Sequence, residues 1–306
     1  MKKILAVLTV ALFAAFVAAA NAQDAPKSPA NVKHVVWIGA DGFGAHYVKW
    51  DELPNLKKMR DGGSWTLHMR SVLPSSSAIN WHTMMVGAPS EMHGYRNWNS
   101  KKPEIEPVYL DERGYFPDFF RVMKDAIPGF TARAVFNWDG IGFCYDNDAV
   151  DESIYLSADS VEASDELVIA KGLELLDKKS TFTFIYFDDP DHIGHTIGWG
   201  TPEYQAKMTK IDEYVGRILA KLEENGMMKD TVVYFSSDHG GSDKGHGEAR
   251  LDHMEAPFII YGKGIKQGEI TDSFANFDCA STVLAVLGVK QPQCWRGKPA
   301  NVIEVK

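Results

Sequence analysis

The sequence predicts a single α/β domain with a largely parallel central sheet and helices flanking both faces. Apolar strand-like runs alternate with amphipathic helices along the second half of the chain, as in strand–helix–strand units. Several predicted strands end in aspartate or histidine, and parallel strands share one carboxyl edge. The 306 residues are 45% hydrophobic, enough for one sizeable core, and no Pro-, Gly- or Ser-rich linker divides them.

The predicted elements follow from apolar periodicity and from Gly and Pro at element ends. The run at residues 34–42 suits a buried parallel strand, and the 3–4 residue spacing of apolar side chains over 202–225 indicates a helix closed by Gly226. Residues 93–150 predict long loops and short elements. The other predicted strands are 131–136, 181–187, 231–235 and 257–261, and the other helices are 53–59, 77–86, 164–178 and 277–287.

The N-terminus predicts an export signal. Lys2 and Lys3 precede an apolar run over residues 4–20, and Ala20-Asn21-Ala22 supplies the small residues that a signal peptidase reads. We predict a signal peptide over 1–22, a linker over 23–32, a catalytic domain over 33–306, and a periplasmic or secreted product. A membrane anchor is the alternative, but the run is shorter than the ~20 residues a span usually needs, so no stable membrane insertion is expected.

The charge and the cysteines limit the possible partners. Signal removal takes two lysines from a net charge of −9 and leaves −11, which disfavours general binding to nucleic acid. A small anionic substrate remains compatible if bound metals supply positive charge. Export permits a disulfide between Cys279 and Cys294, whereas an odd cysteine count leaves at least one thiol free. The sequence leaves this pairing open.

Acidic and imidazole side chains follow the predicted strands. Asp191 and His195 lie four residues apart, so they share one face if the segment is a helical turn and can also converge in a tight loop. The glycines around His246 let a backbone pass close to a metal. Each segment alone also fits a polar turn, but together they favour a mixed carboxylate–imidazole site for two divalent ions, with zinc expected. The candidate ligands are Asp41, Asp191, His195, Asp238, His239 and His246.

Three serines, Ser75, Ser76 and Ser77, precede the predicted helix over 77–86. Helix capping is the ordinary interpretation of such a serine. A helix N-terminus also offers free N–H groups to a phosphate, and a nearby metal can ionise a serine hydroxyl for attack on phosphorus. The segment therefore supplies a candidate nucleophile.

These motifs together resemble the alkaline phosphatase superfamily, and within it the nucleotide pyrophosphatase/phosphodiesterase branch. The resemblance extends over roughly residues 33–300. It implies two-metal hydrolysis of phosphodiester or nucleotide pyrophosphate bonds through a phosphoseryl intermediate. The matching motifs are Asp41-Gly42, Pro74-Ser-Ser-Ser77-Ala-Ile-Asn80, Pro190-Asp191-x-x-x-His195, Ser237-Asp238-His239-Gly240 and Gly245-His246-Gly247.

The resemblance implies roles for individual residues. Ser77 stands in the place of the nucleophile, and Asn80 matches an asparagine that holds a phosphate oxygen. The Met254-Glu255-Ala256 stretch favours His246 over His253 as the last ligand. The implied ligands are Asp41, Ser77, Asp238 and His239 for one metal, and Asp191, His195 and His246 for the other.

Two departures from the family pattern leave the substrate open. Only six residues separate His239 from His246, where many members carry a long insertion, and Trp81 stands where histidine is common. His93 and His192 lie near the motifs, but we expect them to have a structural or supporting role and not to bind a metal. Five aromatic residues fit either a nucleoside-stacking pocket or the core and ordinary surface: Trp81, Tyr95, Trp98, Trp138 and Phe143.

Three alternative functions remain from the sequence. A phosphomonoesterase favours an added cation for the second free oxygen, for which Arg96 is a loose candidate. A sulfatase of the superfamily carries Cys/Ser-x-Pro-x-Arg, which is absent here. A metal-stabilised binding protein would keep the ligands without needing Ser77 or Asn80.

Overall fold

The computed structural model describes Ser28 and residues 30–304. The predicted signal peptide and most of the predicted linker lie outside the described residues. The strands are β1 (His34–Ala40), β2 (Ser64–Arg70), β3 (Ala132–Phe136), β4 (Glu152–Tyr155), β5 (Phe182–Phe187), β6 (Thr231–Ser236), β7 (Glu255–Gly262) and β8 (Gly268–Glu269). The helices are α1 (Pro54–Gly62), α2 (Ser77–Val86), α3 (Ser90–His93), α4 (Phe119–Ala126), α5 (Val161–Leu176), α6 (Asp191–Thr196), α7 (Pro202–Glu224), α8 (Leu251–Met254) and α9 (Asp278–Leu287).

The strands form one eight-stranded sheet in the order β4-β3-β5-β1-β6-β7-β2-β8. Only β7 runs antiparallel to its neighbours. β1 lies at the centre between β5 and β6, with Ala40 beside Phe187 and Gly39 beside Ser236. This register brings the carboxyl ends of these three strands to one place, and the predicted largely parallel α/β sheet is confirmed.

Helices cover both faces of the sheet, as predicted. Consecutive residues of the central strands point to opposite faces and both are buried, which is why these strands appear as continuous apolar runs. On one face Trp37 belongs to a buried core cluster that includes side chains of α2, α4 and α9. On the other face Ile38 belongs to a cluster that includes side chains of α1, α5 and α7.

The structure adds elements that the sequence prediction omitted, namely β2, β4, β8 and the short helices α3 and α8. α4 lies in the stretch predicted to hold short elements, and α6 is the helical turn considered for Asp191 and His195. α4 begins after Asp118, whose carboxylate accepts hydrogen bonds from the backbone of Phe120 and Arg121. α5 begins earlier than predicted because Ser160 caps it through the backbone N–H of Ala163.

All three cysteines are free thiols, so the Cys279–Cys294 bridge that the sequence left open is not formed. Within the described part of the chain, no helix has both the length and the apolar character needed to cross a bilayer.

Candidate active site

The predicted ligands meet at the carboxyl edge of β1, β5 and β6. Asp41 follows β1 directly, and Asp238 lies two residues beyond the end of β6. Asp191 opens α6, and its backbone N–H donates to the carbonyl of Asp41 at 3.0 Å. Adjacent parallel strands thus deliver these carboxylates to one point, as in other α/β sheets.

Ser77 is the first residue of α2 and points into this group. Its Oγ lies 3.3 Å from Asp41 Oδ1 and 3.3 Å from His239 Nε2. Ser76, which precedes it in an extended conformation, makes no side-chain cap hydrogen bond. The hydroxyl at the helix N-terminus therefore contacts the candidate ligands.

The three predicted histidine ligands share one orientation. Each places Nδ1 against a backbone carbonyl, which only accepts hydrogen bonds, so Nδ1 carries the proton and Nε2 presents a bare lone pair. Such a second contact is how metal-ligating imidazoles are commonly fixed. The acceptors of His195, His239 and His246 are the carbonyls of Lys244, Gly240 and Ser75, at 3.1, 2.9 and 2.8 Å.

One cluster is formed by Asp191, His195 and His246. The Nε2 atoms of the two histidines lie 3.0 Å apart. Asp191 Oδ2 lies 3.4 Å from His195 Nε2, and Oδ1 lies 3.6 Å from His246 Nε2. Two unprotonated nitrogens facing each other beside a carboxylate repel unless a cation lies between them, so this donor set fits a divalent metal.

The second cluster is formed by Asp41, Asp238 and His239. His239 Nε2 lies 3.2 Å from Asp238 Oδ2 and 3.4 Å from Asp41 Oδ1. Among the described residues, Asp238 Oδ2 and Asp191 Oδ1 are buried without a hydrogen-bond partner. A buried, unpaired carboxylate oxygen is costly, and a bound cation removes that cost. Asp41, Asp238 and His239 therefore fit one metal ion, and Asp191 and His246 fit another, with His239 within reach of both groups and His195 beside the second.

Burial controls the protonation of these groups. It raises the pKa of Asp238 and of Asp191 well above the ordinary value, and the nearby charge of Asp41 raises both pKa values further. Burial also lowers the pKa of His239 and of His246 to about 3. The histidines are therefore neutral ligands at neutral pH, whereas the carboxylates need a counter-charge in order to ionise.

We expect zinc to raise the melting temperature more at about pH 8 than at about pH 5. Because their pKa values are raised, the carboxyl groups of Asp191 and Asp238 stabilise the metal-free fold only at acidic pH. This contribution to stability is lost as the pH rises through the raised pKa values. The lowered pKa values of His239 and His246 favour the fold above the ordinary histidine pKa, and that stability is lost as the pH falls toward 3.

Thermal melts of zinc-loaded and chelator-treated protein across this pH range provide the measurement. Zinc binds the ionised carboxylates and so removes their penalty at high pH, while protons compete for the same ligands at low pH. A zinc-induced shift that is equal or smaller at the higher pH would contradict the expectation.

Asn80 does not line the cleft, and the contact with a phosphate oxygen that the resemblance implies for it stays a prediction. Its side chain is fully buried, and its amide nitrogen donates to the carbonyls of Pro74 and Ser76 at 3.0 Å each. Its Oδ1 accepts from the backbone of Val72 and from Asn276. These contacts place Asn80 as a support of the loop before Ser77.

The other candidates also have defined places. His253 lies outside both clusters, where its Nε2 contacts Ser242 Oγ at 2.8 Å and its Nδ1 accepts from the backbone of Glu248. His93 is buried against Thr83, whereas the side chain of His192 is exposed. His253 thus holds the loop that carries His246.

The five aromatic candidates divide between core and cavities. Trp98 and Trp138 line the cleft at Ser77, whereas Trp81 is fully buried. Phe143 and the mostly buried Tyr95 line a separate cavity of about 250 Å³.

Tyr186 near the site was missed in the sequence, and Asp188 was noted only as the acidic residue that ends the strand over 181–187. The hydroxyl of Tyr186 donates to Asp41 Oδ2 at 2.5 Å, and Asp188 lines the cleft. Burial, followed by the charge of Asp41, raises the pKa of Asp188 to about 8. The sequence signal that could have found them is the alternation of side chains along β5, which places Tyr186 and Asp188 on the same side of the strand.

The cleft has a volume of about 530 Å³ and is acidic and aromatic in character. Among the described residues that line it, none is a lysine or an arginine. The lining residues are Asp41, Ser76, Ser77, Trp98, Trp138, Asp188, Asp191, His195, Gly245 and His246.

Sequence comparison relates the chain to phosphodiesterases. Residues 35–258 match the family model for type I phosphodiesterase / nucleotide pyrophosphatase. The chain is 25% identical over 275 residues to ectonucleotide pyrophosphatase/phosphodiesterase family member 1 of Rattus norvegicus, covering 83% of this chain and 30% of the relative. It is 22% identical over 244 residues to a bis(5'-adenosyl)-triphosphatase of Pongo abelii, covering 76% and 52%. The chain thus spans between about a third and a half of these relatives.

Solved structures share the fold. Murine ectonucleotide pyrophosphatase/phosphodiesterase 5, as an inactive variant with AMP, superposes with a TM-score of 0.70 at 14% identity, covering 87% of this chain and 97% of that one. A putative sulfatase from Bacteroides thetaiotaomicron gives 0.72 at 14% identity, covering 87% and 73%. At these identities the likeness shows the fold alone. The family match, in contrast, extends over most of the chain and includes every candidate ligand, and the chain belongs to the type I phosphodiesterase / nucleotide pyrophosphatase family.

Proposed function

We propose that the protein hydrolyses phosphoric diesters through a phosphoseryl intermediate on Ser77, with two divalent metal ions as cofactors. The observation that carries the proposal is the position of Ser77 Oγ. It lies at a helix N-terminus, 3.3 Å from Asp41 Oδ1 in one cluster and within reach of the bare Nε2 of His239. Family membership supports the same reaction class.

Ser77 needs an activator other than a histidine base. His239 is the nearest imidazole, but burial lowers its pKa to about 3, which makes it a weak proton acceptor. The surrounding carboxylate oxygens instead suit a cation. When bound, two divalent ions would supply the positive charge that ionises the serine and neutralises the leaving oxygen.

The proposed reaction has two displacements at phosphorus. Ser77 Oγ gives its proton to water and forms a bond to phosphorus while the bond from phosphorus to the first alcohol oxygen breaks, and that alcohol takes up a proton from water as it leaves. A water oxygen then attacks the phosphoserine, the bond to Ser77 breaks, and Ser77 regains its proton. The N-terminus of α2, where Ser77 lies, is the positive end of the helix dipole, which suits the negative charge that develops on the non-bridging oxygens.

The lining of the cleft favours a diester over a monoester. A phosphomonoester dianion carries a second charged oxygen, and the described cleft residues include no lysine or arginine to match it. Arg96 is exposed, and its backbone N–H donates to Glu104 outside the cleft. Trp98, 60% exposed at the cleft, offers an aromatic face to an ester group. Nucleotide pyrophosphate bonds remain the second candidate, supported by the names of the relatives.

We expect zinc-reconstituted protein to hydrolyse bis-p-nitrophenyl phosphate with a kcat/KM at least roughly tenfold above that for p-nitrophenyl phosphate, since the unmatched charge costs about 1.4 kcal/mol or more. Initial rates on both substrates and on p-nitrophenyl sulfate provide the measurement. A monoester preference, or sulfate turnover above phosphate turnover, would contradict the diester assignment. Turnover of none of them would favour the metal-stabilised binding protein.

We also propose that residues 1–22 direct export and are removed after Ala22. The lysine pair, apolar run and small-residue site support this. N-terminal sequencing of the mature protein tests it, because a retained Met1 would exclude cleavage.

A further inference from the structure

The two oxygens of the Asp41 carboxylate have different surroundings. Oδ1 faces Ser77 and His239. Oδ2 accepts two hydrogen bonds, one from the hydroxyl of Tyr186 at 2.5 Å and one from the indole Nε1 of Trp81 at 2.8 Å. Both donor side chains are fully buried, so water does not compete for Oδ2.

The fold makes specific room for the Trp81 donor. Trp81 projects from α2 onto β1, where Gly39 interrupts an otherwise apolar run of larger side chains. A Cβ atom at Gly39 would lie 2.7 Å from Trp81 Cη2 and 3.1 Å from Phe184 Cε2. The glycine therefore lets the indole pass close to the strand backbone and reach the carboxylate two residues further on.

Tyr186 completes the arrangement from the neighbouring strand. Its ring packs edge-on against Trp81, with centroids 5.1 Å apart at 78°. The two donors thus fix each other as well as Asp41. A carboxylate oxygen that already accepts two buried hydrogen bonds is a poor ligand for a cation, whereas the other oxygen stays free to bind one.

We propose that Trp81 and Tyr186 are positioning residues that hold Asp41 as a one-oxygen ligand and thereby set the metal affinity of the Asp41–Asp238–His239 cluster. The effect is selective for that cluster, since neither donor is hydrogen-bonded to Asp191, His195 or His246 among the described residues. The inference shares one assumption with the proposed function, namely that a cation binds at this cluster.

Zinc titration in competition with a chromophoric chelator tests the proposal with Tyr186→Phe and Trp81→Phe, each of which removes one donor and keeps an aromatic ring. We expect one of the two zinc dissociation constants to rise about 10- to 100-fold in each variant, while the other is unchanged. Tyr234→Phe is the matched control. It removes a buried hydroxyl of β6 that is not one of the two donors to Asp41 Oδ2, and both constants should equal those of wild type.

Gly39→Ala tests the hydrogen bond from Trp81 to Asp41 without changing either residue. In the wild-type background the added methyl displaces the Trp81 ring and should weaken the same zinc site. In the Trp81→Phe background the ring is shorter and the donor is already absent. The added methyl should therefore cause only a small further loss of zinc affinity. This non-additivity is what a double-mutant cycle measures.

Activity separates this inference from the proposed function. Turnover by Tyr186→Phe should fall at low free zinc and recover at saturating zinc. Unchanged dissociation constants in Tyr186→Phe, an equal rise in both constants, or failure of excess zinc to restore turnover would overturn the positioning role. If wild type binds two zinc ions with the expected variant pattern but hydrolyses no ester, the proposed function fails and the positioning role stands. Thermal melts identify any variant that is unfolded, and Tyr186→Phe decides the matter if Trp81→Phe does not fold.

Discussion

Replacement of Ser77 by alanine is expected to lower kcat for diester hydrolysis by roughly 10³-fold or more, while zinc binding largely survives. The substitution removes the only atom that forms a bond to phosphorus in the proposed first displacement. It leaves the carboxylates and imidazoles of both clusters in place. Steady-state kinetics together with zinc stoichiometry measure the two effects separately.

Ser77→Thr is the matched control for this loss. Threonine keeps a hydroxyl at the same position and should retain substantial activity. Acid quenching of the wild-type reaction followed by peptide mass spectrometry should locate a phosphate on Ser77. Near-full activity of Ser77→Ala, or phosphate on Ser75 or Ser76 instead, would assign the nucleophile elsewhere.

Removal of the metals is expected to abolish turnover and to lower the melting temperature. Asp41, Asp191 and Asp238 converge beside neutral histidines, and without cations their ionised forms repel one another and lose solvation. A site held at 100 times its dissociation constant contributes about 2.7 kcal/mol, so each emptied site should lower the melting temperature by roughly 5 °C in a domain of this size.

Chelation followed by thermal melts and activity assays measures this result. Addition of zinc should restore both activity and stability, whereas magnesium should restore little, because it prefers oxygen ligands over imidazole. Activity and a melting temperature that survive exhaustive chelation would contradict a metal-dependent site.

The sheet, and the meeting of the candidate ligands at one edge of it, could be predicted because the same residues signal both. The apolar runs of β1, β5 and β6 end in polar residues, and parallel register brings those ends together. β2 was missed because it alternates buried and half-exposed residues and contains His68 and Arg70, which weakens its apolar signal. Its pairing with β7 is a tertiary contact that no local pattern reveals.

The contacts of individual side chains were harder to predict. Asn80 lies in the expected motif, but the expectation did not include the Pro74 and Ser76 carbonyls that occupy its amide. Tyr186 was hidden within an apolar strand, although its hydroxyl reaches Asp41. Trp81 departs from the family pattern, and only the structure shows that its indole donates a hydrogen bond to Asp41 Oδ2 beside the site.

The central claim is that seven side chains from five segments hold two cations around Ser77. A crystal structure of the zinc-loaded protein, with anomalous maps collected on both sides of the zinc edge, tests it most directly. We predict two peaks, one bound by Asp41, Ser77, Asp238 and His239 and the other by Asp191, His195 and His246. A single peak, or zinc bound away from these side chains in fully loaded protein, would contradict the claim.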